Sequence, residues 1–446
     1  MPDAMPTRIL VPAGALGLGW DDGALAWGIA ARPGLIAIDG GSTDSGPSYL
    51  GRGVSKYSRD RIARDWGALV AARAEAGCPL LIGTAGTCGA RASVDWMVAI
   101  TRDVLREQGR TARIAVLYCD RDPDDVAARH GDLRPLSAAP ETRPDDIRAC
   151  ANIVALAGVE QVAAALDTGA DIVICGRTTD TALIAAVPIA RGTDPGVAWH
   201  GAKLGECGSL CCTHPWAGPI LLDFDADAVT ITPCRTDAAA TPRTVAAHML
   251  YENADPLRLA EPGGHLDVGA ARYEAVDDRS TRVTGGVWVP GDYAVKLEGA
   301  RPTGFGAQSL VLIRDADTIR HLDLWCDTLL AEAGRRVDDP AVEMILLRIG
   351  RDATLGPCEP AAEAAHEVGI LLKTRAPTQE AALEAARIVN PLLLHHAHDP
   401  AVPMPTFAFP TSPPEMATGP CFEFVLHHVL PLSDPMDGFA LAVLDA

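Results

Sequence analysis

The sequence predicts an α/β protein in which a mostly parallel sheet is followed by an α+β region. Through the first half of the chain, short apolar segments that end in glycine or polar residues alternate with helical segments. In the second half, short strands with glycine turns follow one another before helices resume. We therefore expect residues 1–215 to form an α/β domain with ligand-binding loops at its strand ends. Residues 216–446 should form an α+β domain that completes the site.

Five apolar segments of the first half are predicted to be buried strands, because they are short, rich in branched residues and bounded by glycine or polar residues. They are residues 8–12, 35–39, 79–83, 113–119 and 171–175. The helical patterns between them cover residues 59–76, 93–108 and 159–168. Right-handed crossovers would place the ends of these strands along one edge of the sheet.

The second half is predicted to begin with a hairpin whose strands are residues 220–224 and 228–232. The pattern then predicts an α+β layer. Its elements are strands at 282–284, 287–289, 293–297 and 309–313, a helix at 316–334, strands at 344–349 and 367–374, a helix at 379–389 and a strand at 421–429.

Composition argues against several classes of protein. The formal net charge is −20, which disfavours a nucleic-acid or anionic-membrane partner, because such partners are bound by basic patches. Apolar segments stay well short of the roughly 20 residues that cross a bilayer. Twelve cysteines in a long acidic chain whose N-terminal pattern does not predict a signal peptide indicate a reduced, cytoplasmic setting. None of them forms a Cys-x-x-Cys pair, so a zinc site has little support.

A loop rich in glycine and hydroxyl groups follows the second predicted strand and reads Asp39-Gly-Gly-Ser-Thr-Asp44. Glycines let backbone amides approach an anion. Ser42 and Thr43 can bind a carboxylate or phosphate, and Asp44 can act as a base. The structural alternative is a tight turn held by local hydrogen bonds.

Two further strand ends carry polar residues. The loop after the third predicted strand precedes a helix and offers Thr84 and Thr87 to an anion. The strand at 171–175 is followed by Arg177, Thr178 and Asp180, where open α/β sheets bind their ligands. We expect Arg177 to hold an anion and Asp180 to handle a proton.

The segment His200-Gly-Ala-Lys-Leu-Gly-Glu-Cys-Gly208 gathers several reactive side chains. Lys203 and Glu206 are three residues apart and would share one face of a helix. Either can serve as a general base if its pKa is shifted, and Cys207 could be a nucleophile if its thiolate is stabilised. The structural alternative is a surface ion pair beside a buried cysteine.

No cofactor is predicted. The turn Gly14-Ala-Leu-Gly-Leu-Gly19 together with Asp39 has nearly the spacing of a dinucleotide-binding fingerprint, but its glycine order departs from that fingerprint. The carboxylates in the strand-end loops leave room for a divalent metal ion, although no spacing requires one. His395 and His398 could ligate a metal together, but without an evident third ligand no metal site is predicted.

Several motifs occur in order over nearly the whole chain: Tyr251-Glu-Asn-Ala-Asp-Pro256, Glu261-Pro-Gly-Gly264, Val295-Lys-Leu-Glu-Gly299, residues 169–180 and Glu206-Cys-Gly208. In these motifs the chain resembles the AtuA family of acyclic terpene utilisation proteins, in the branch with a Gly-Ser-Thr-Asp N-terminal loop. The resemblance implies a cytoplasmic catabolic role near carboxylic-acid or CoA metabolism, often beside a small partner protein. It implies no agreed reaction.

The motifs of the resemblance add Tyr251, Asn253 and Lys296 to the predicted substrate-binding residues. Lys296 and Glu298 are two apart on a predicted strand, so they lie on one face and can pair. A structural ion pair is the alternative to a role in the site.

Together these residues predict an enzyme, a lyase of the hydratase or dehydratase type or a related isomerase. Its substrate would be a small hydroxy or unsaturated carboxylic acid or the CoA ester of one. Asp44, Asp180, Lys203 and Glu206 would exchange protons with the substrate. The alternatives are an NAD(P)-dependent oxidoreductase, a non-catalytic metabolite-binding subunit that supports a small partner protein, and acyl transfer through Cys207. We also expect a homo-oligomer.

Overall fold

A computed structural model describes residues 7–216, 218–360, 365–401 and 406–446. Contacts divide the chain into a larger unit, residues 1–301 with 424–446, and a smaller unit, residues 302–423. The boundary expected near residue 215 does not coincide with this division, because the strands that follow it pair onto the sheet of the larger unit.

The structure confirms many of the expected elements and adds several short ones. In chain order they are β1 (Thr7–Val11), α1 (Asp22–Ala30), β2 (Leu35–Asp39), α2 (Pro47–Arg52), α3 (Arg59–Ala76), β3 (Leu80–Gly83), α4 (Arg91–Glu107), β4 (Arg113–Tyr118), α5 (Pro123–Ala128), β5 (Arg134–Pro135), α6 (Pro144–Arg148), β6 (Asn152–Ala155), α7 (Val159–Leu166), β7 (Ile172–Cys175), α8 (Asp180–Ala190), α9 (Pro195–Gly205), β8 (Ile220–Phe224), β9 (Val229–Pro233), α10 (Pro242–His248), β10 (Arg258–Glu261), β11 (Gly264–Asp267), β12 (Arg272–Ala275), β13 (Thr281–Thr284), β14 (Val287–Pro290), β15 (Ala294–Ile313), α11 (Ala316–Arg320), α12 (Leu322–Val337), β16 (Glu343–Ile349), β17 (Val368–Ala376), α13 (Gln379–His395), β18 (Met416–Pro431) and β19 (Ala440–Asp445).

The larger unit is built on a ten-stranded sheet with the order β12-β13-β9-β8-β1-β2-β3-β7-β4-β19. Its five central strands, β1, β2, β3, β7 and β4, are parallel, and both flanks are antiparallel. The sheet is therefore mixed rather than mostly parallel, because strands from later in the chain extend both edges of the parallel centre.

Helices cover both faces of the central strands, and alternate residues of β2 show the division. Ile36 and Ile38 pack in one core cluster with α1, α3 and α4, whereas Leu35 and Ala37 pack in another with α7, α8 and α9. Burial on both faces explains why these strands appear in the sequence as continuous apolar segments rather than alternating ones.

The loops that follow β2, β3 and β7 meet at one edge of this sheet. Asp39 and Gly83, the last residues of β2 and β3, stand in register. The amide of Gly40 donates to the carbonyl of Gly83 at 2.8 Å, and the amide of Thr84 donates to the carbonyl of Gly176 at 2.8 Å. Backbone hydrogen bonds alone therefore join the three loops.

Gly89 is expected to be intolerant of a side chain, since it sits against the loop after β7. A Cβ atom on Gly89 would lie 2.2 Å from the backbone nitrogen of Arg177, and its φ is +65°. Gly169 has a φ of +69° and open space around it, so Gly169→Ala is a matched control for the backbone strain. We expect Gly89→Ala to lower the free energy of unfolding by about 1–3 kcal/mol more than Gly169→Ala does, as measured by urea unfolding. Equal losses would contradict this packing.

Two expectations for the region after residue 290 are wrong. Residues 293–297 and 309–313 belong to the single strand β15, whose first part pairs with β6 and whose second part pairs with β17. The sequence between the two predicted strands is typical of a turn, because it contains Pro302, Gly304 and Gly306. The helix expected over residues 316–334 is interrupted at His321, which separates α11 from α12.

The smaller unit places α11, α12 and α13 against the second part of β15 and against β17. Its core contains Val311, Trp325, Leu329, Ile370 and Val389. This unit is α+β, with β16 pairing antiparallel to β17. Among the helices of the described residues, none is long and apolar enough to cross a membrane.

Candidate functional site

A cavity of about 440 Å³ opens at the edge of the larger unit where β2 and β7 end. The sides of the cavity come from the loops after these two strands, from α8 and α9, from the segment after α10, and from β10 and the first part of β15. Its lining is mostly polar: Ser42, Asp44, Leu156, Arg177, Thr178, Thr179, Asp180, Thr181, Lys203, Glu206, Glu252, Asn253, Leu259, Glu261 and Lys296. The cavity therefore collects nine of the residues expected from the sequence.

Arg177 is buried and donates hydrogen bonds to three side chains. Its Nε donates to Oε2 of Glu298 at 3.1 Å, and its two terminal nitrogens donate to the hydroxyls of Thr84 at 3.3 Å and Thr43 at 3.4 Å. Thr43 itself donates to Glu298 at 3.0 Å. Thr43 and Thr84, which were expected to bind an anion, contact the guanidinium group of Arg177 in this structure.

Glu298 pairs with two cations. Besides Arg177, it contacts Lys296, whose Nζ lies 2.7 Å from Oε1 of Glu298. Burial alone would raise the pKa of Glu298, but Arg177 and Lys296 outweigh it and lower the pKa to about 2. The expected pair on one face of the strand is present. Lys296 keeps 29% of its side chain exposed and is the more accessible of the two cations.

Lys203 and Glu206 are buried together and share a hydrogen bond at the end of α9. The ammonium of Lys203 donates to Oε1 of Glu206, as their three-residue spacing predicts. Burial raises the pKa of Glu206 to about 8, against the lowering effect of Lys203, and nearby Asp180 and Glu261 raise it further. Glu206 therefore holds its proton at neutral pH, beside a cation.

Asp180 and Glu261 are two further carboxyl groups with raised pKa values. Burial raises the pKa of Asp180 to about 6, although Arg177 and Lys203 oppose the shift. Burial likewise raises the pKa of Glu261 to about 7, although the hydroxyl of Thr181 donates to it. Oε2 of Glu261 is buried without a hydrogen-bond partner among the described residues, so it is open to a ligand.

Asp39 lies behind the cavity rather than in its lining. Its Oδ2 accepts from the amide of Gly41 at 2.7 Å, and its Oδ1 has no partner within the described part of the chain. Burial and the neighbouring Asp180 raise the pKa of Asp39 well above its usual value. The carboxyl groups that add to the raised pKa of Asp180 are instead Asp44 and Glu252.

Four expected residues make mainly local contacts. The hydroxyl of Ser42 donates to the exposed carboxylate of Asp44 at 2.7 Å, a turn at the mouth of the cavity. Thr87 is buried and accepts from the amide of Lys56 at 3.1 Å, outside the cavity lining. Tyr251 stacks on the buried ring of His248 with 5.5 Å between centroids.

Glu206, Cys207 and His248 have the spacing of a metal-ligand group. The Lys203 ammonium beside Glu206 opposes a cation there. Burial and the charge of Glu206 raise the pKa of the Cys207 thiol, so Cys207 is neither a ready thiolate ligand nor an activated nucleophile. Asp44 and Asp180, among the carboxylates for which the sequence left a divalent ion open without requiring one, belong to no such group within the described residues.

Sequence reasoning missed four contributors to this site. Glu252, Glu261 and Glu298 lie in the motifs that carry the family resemblance, so a signal existed, although it did not distinguish them from structural residues. His248 precedes those motifs as the last residue of α10, and no spacing in the sequence relates it to Glu206.

The fold and the cavity define an α/β protein with an acid-rich cavity at the edge where its parallel strands end. The chain belongs to the family described as acyclic terpene utilisation family protein AtuA, whose model matches residues 74–201 and 222–418. No curated protein and no solved structure matches the chain. The matched segments contain Arg177, Asp180, Glu261 and Glu298. The Gly-Ser-Thr-Asp loop and the pair Lys203–Glu206 lie outside them.

Proposed function

We propose that this protein is a lyase of the hydratase or dehydratase type that acts on a small hydroxy or unsaturated carboxylic acid, or on its CoA ester, by general acid–base catalysis. One observation carries the proposal. Carboxyl groups with pKa values of about 6, 7 and 8 share one cavity with two lysines and an arginine. Enzymes commonly combine acid and base catalysis in one site by giving neighbouring carboxyl groups different pKa values near neutral pH.

The carboxyl groups with the lowest and the highest of these pKa values are assigned as the general base and the general acid. Asp180 is ionised at pH 7 and removes the proton on the carbon next to the substrate carboxyl or thioester group. Glu206 is protonated at pH 7 and gives its proton to the departing hydroxyl group, which leaves as water. One proton enters Asp180 and one leaves Glu206, so the two residues exchange protonation states in each dehydration and return by solvent exchange. An isomerase would use the same two transfers without loss of water.

Substrate binding falls to the two lysines of the cavity. Arg177 is buried and paired with Glu298, whereas Lys296 keeps 29% of its side chain exposed and can contact the substrate carboxylate. Lys203 is buried beside protonated Glu206, where its charge can stabilise the enolate formed from the substrate. A cavity of about 440 Å³ suits a small acid or the acyl part of a CoA ester. The larger part of a CoA ester would then lie outside this cavity.

The geometry gives less support to an NAD(P)-dependent oxidoreductase. A dinucleotide turn needs glycines so that a pyrophosphate can approach the backbone. Here Gly17 and Gly19 are approached by the protein itself: a Cβ atom would lie 2.5 Å from the ring of Tyr57 and 2.5 Å from the guanidinium of Arg61. Asp39, which would bind the ribose, is buried and faces the charged site.

Acyl transfer through Cys207 is also less favoured, because the raised pKa keeps its thiol protonated. A metabolite-binding subunit that supports a small partner protein uses the same cavity without turnover. Assembly as a homo-oligomer, or with such a partner, remains part of the proposal.

The proposal is tested by following hydrogen exchange at carbon. Purified protein in D₂O is incubated with small hydroxy acids, unsaturated acids and their CoA esters, and NMR monitors loss of the α-proton signal. We expect exchange or dehydration of at least one substrate class, abolished by Asp180→Asn. A melting-temperature shift with an acid, but no exchange even with the partner protein added, would instead indicate a binding subunit.

A further inference from the structure

We propose that Asp317, His321 and His398 of the smaller unit bind a divalent transition-metal ion of the zinc type. The three side chains come from two segments of the chain. Asp317 lies in the first turn of α11, and His321 lies four residues later, between α11 and α12. His398 follows the end of α13. One potential ligand atom from each residue lies within 4.8 Å of the others.

The separation between Asp317 and His398 suits shared ligation better than hydrogen bonding, because Oδ2 of Asp317 lies 3.5 Å from Nε2 of His398. Nδ1 of His321 lies 3.0 Å from the backbone carbonyl oxygen of Asp317, a hydrogen bond that leaves Nε2 of His321 as the ligand atom. Oδ1 of Asp317 accepts from Arg320 at 2.8 Å, so Oδ2 is the oxygen that would bind the ion. Hydrogen bonds from nitrogen to oxygen are shorter, at about 2.7–3.2 Å. Zinc binds nitrogen and oxygen at about 2.0–2.2 Å in a tetrahedron, which places neighbouring ligand atoms roughly 3.3 Å apart. The distance between Asp317 and His398 lies close to that value.

The ring arrangement supports the same reading. The imidazoles of His321 and His398 stack with their centroids 4.8 Å apart, and the carboxylate of Asp317 approaches a nitrogen of each. Because an imidazole nitrogen binds a metal ion in the plane of its ring, the ion would lie at the edge of the two stacked rings, beside the carboxylate of Asp317.

The surrounding structure holds these ligands in place. Asp315 caps α11 by accepting from the amide of Thr318 at 2.7 Å, which fixes the turn that carries Asp317. The indole of Trp325, buried in the core of the smaller unit, donates to the carbonyl of His396 at 2.9 Å. That bond ties the segment carrying His398 to α12.

Exposure indicates where the ion would reach solvent. The side chain of His398 is only 7% exposed, whereas those of Asp317 and His321 are 43% and 45% exposed. The site is thus closed on the side of the core and open on the other, which leaves a coordination position for water. Two imidazoles and one carboxylate select zinc-like ions over magnesium or calcium. The ion would fasten the segment after α13 to α11.

The test is titration of the untagged, chelator-treated full chain with Co²⁺ and Zn²⁺, using calorimetry for stoichiometry and visible absorption for the geometry of bound Co²⁺. We expect one equivalent at this site. His398→Ala should weaken binding by more than about tenfold, since loss of residues that merely support ligands already costs that much. His395→Ala is the matched control, because His395 ends α13 outside the cluster, and this variant should bind normally.

Two results would overturn the proposal. One is unchanged binding in both His398→Ala and His321→Ala. The other is binding that disappears in Cys207→Ser and shows a thiolate charge-transfer band with Co²⁺, which would place the ion at Cys207 instead. If His398→Ala does not fold, the half-exposed His321→Ala supplies the same comparison.

Discussion

Replacing Glu206 by glutamine is expected to lower kcat by roughly 10²–10⁴-fold, the usual contribution of a positioned general acid. Glutamine keeps the shape of the side chain and can still accept from Lys203, but it has no proton to give to a leaving hydroxyl. KM should change much less, because Lys296 and Lys203 remain to bind the substrate. The measurement is steady-state kinetics on the substrate that the exchange screen identifies.

The pH dependence distinguishes an acid from a merely structural residue. Activity of the native protein should rise as Asp180 ionises near pH 6 and fall as Glu206 loses its proton near pH 8. The residual activity of Glu206→Gln should lose the fall near pH 8 and keep the rise near pH 6.

Glu160→Gln is the control for this variant, because Glu160 accepts from the hydroxyl of Tyr293 at 2.9 Å and lies outside the cavity lining. It should retain native kcat. If Glu206→Gln also retains native kcat, or if its alkaline limb is unchanged, Glu206 is not the acid.

Replacing Glu298 by glutamine is expected to lower the free energy of unfolding of the larger unit by about 3–5 kcal/mol. The change leaves Arg177 buried without its counter-ion and also removes the partner of Lys296. Because a chain with two compact units need not unfold in one step, urea unfolding should be followed by hydrogen exchange of peptides from β2, β3 and β7.

The sign of the pH dependence follows from the lowered pKa of Glu298. A carboxyl group with a folded-state pKa of about 2 and an ordinary unfolded-state pKa stabilises the fold above about pH 4.5. That stabilisation is lost as the pH falls from about 4.5 towards 2. In Glu298→Gln this part of the acid sensitivity should be absent.

Two comparisons make the stability result specific. Asp237→Asn breaks an exposed pair with Arg235 and should leave unfolding unchanged. The double variant Arg177→Met with Glu298→Gln should be more stable than Glu298→Gln alone, since it removes the unpaired buried charge. A double variant that is no more stable would mean that the cost does not come from the bare guanidinium.

Much of the fold could be predicted because the parallel strands are buried on both faces. Leu35–Asp39 has the predicted bounds, and the predicted hairpin is present as β8 and β9. The missed elements are short or depend on distant partners. The strand β19 pairs with β4, which lies more than 300 residues earlier in the chain. No local sequence pattern predicts that pairing. For the same reason, the antiparallel flanks of the sheet were not expected.

The site residues that lie just after the ends of strands could be predicted from the sequence. Arg177 and Asp180 sit where the polarity of the sheet requires, and the helical spacing of Lys203 and Glu206 brings them together. The way Arg177 is held by Glu298 could not be read from the sequence. It depends on β15 pairing with β6, a contact between residues more than 140 apart.

The most direct test of the proposed acid–base site needs no substrate. Protein labelled with ¹³C at the glutamate carboxyl carbons is titrated by NMR, and the signal missing in Glu206→Gln identifies Glu206. A midpoint near pH 8 is expected, because burial and the neighbouring carboxylates hold the proton on Glu206 and raise its pKa. A midpoint near the ordinary glutamate value of about 4.3 would mean that Glu206 is an ionised partner of Lys203, and the proposed general acid would be lost.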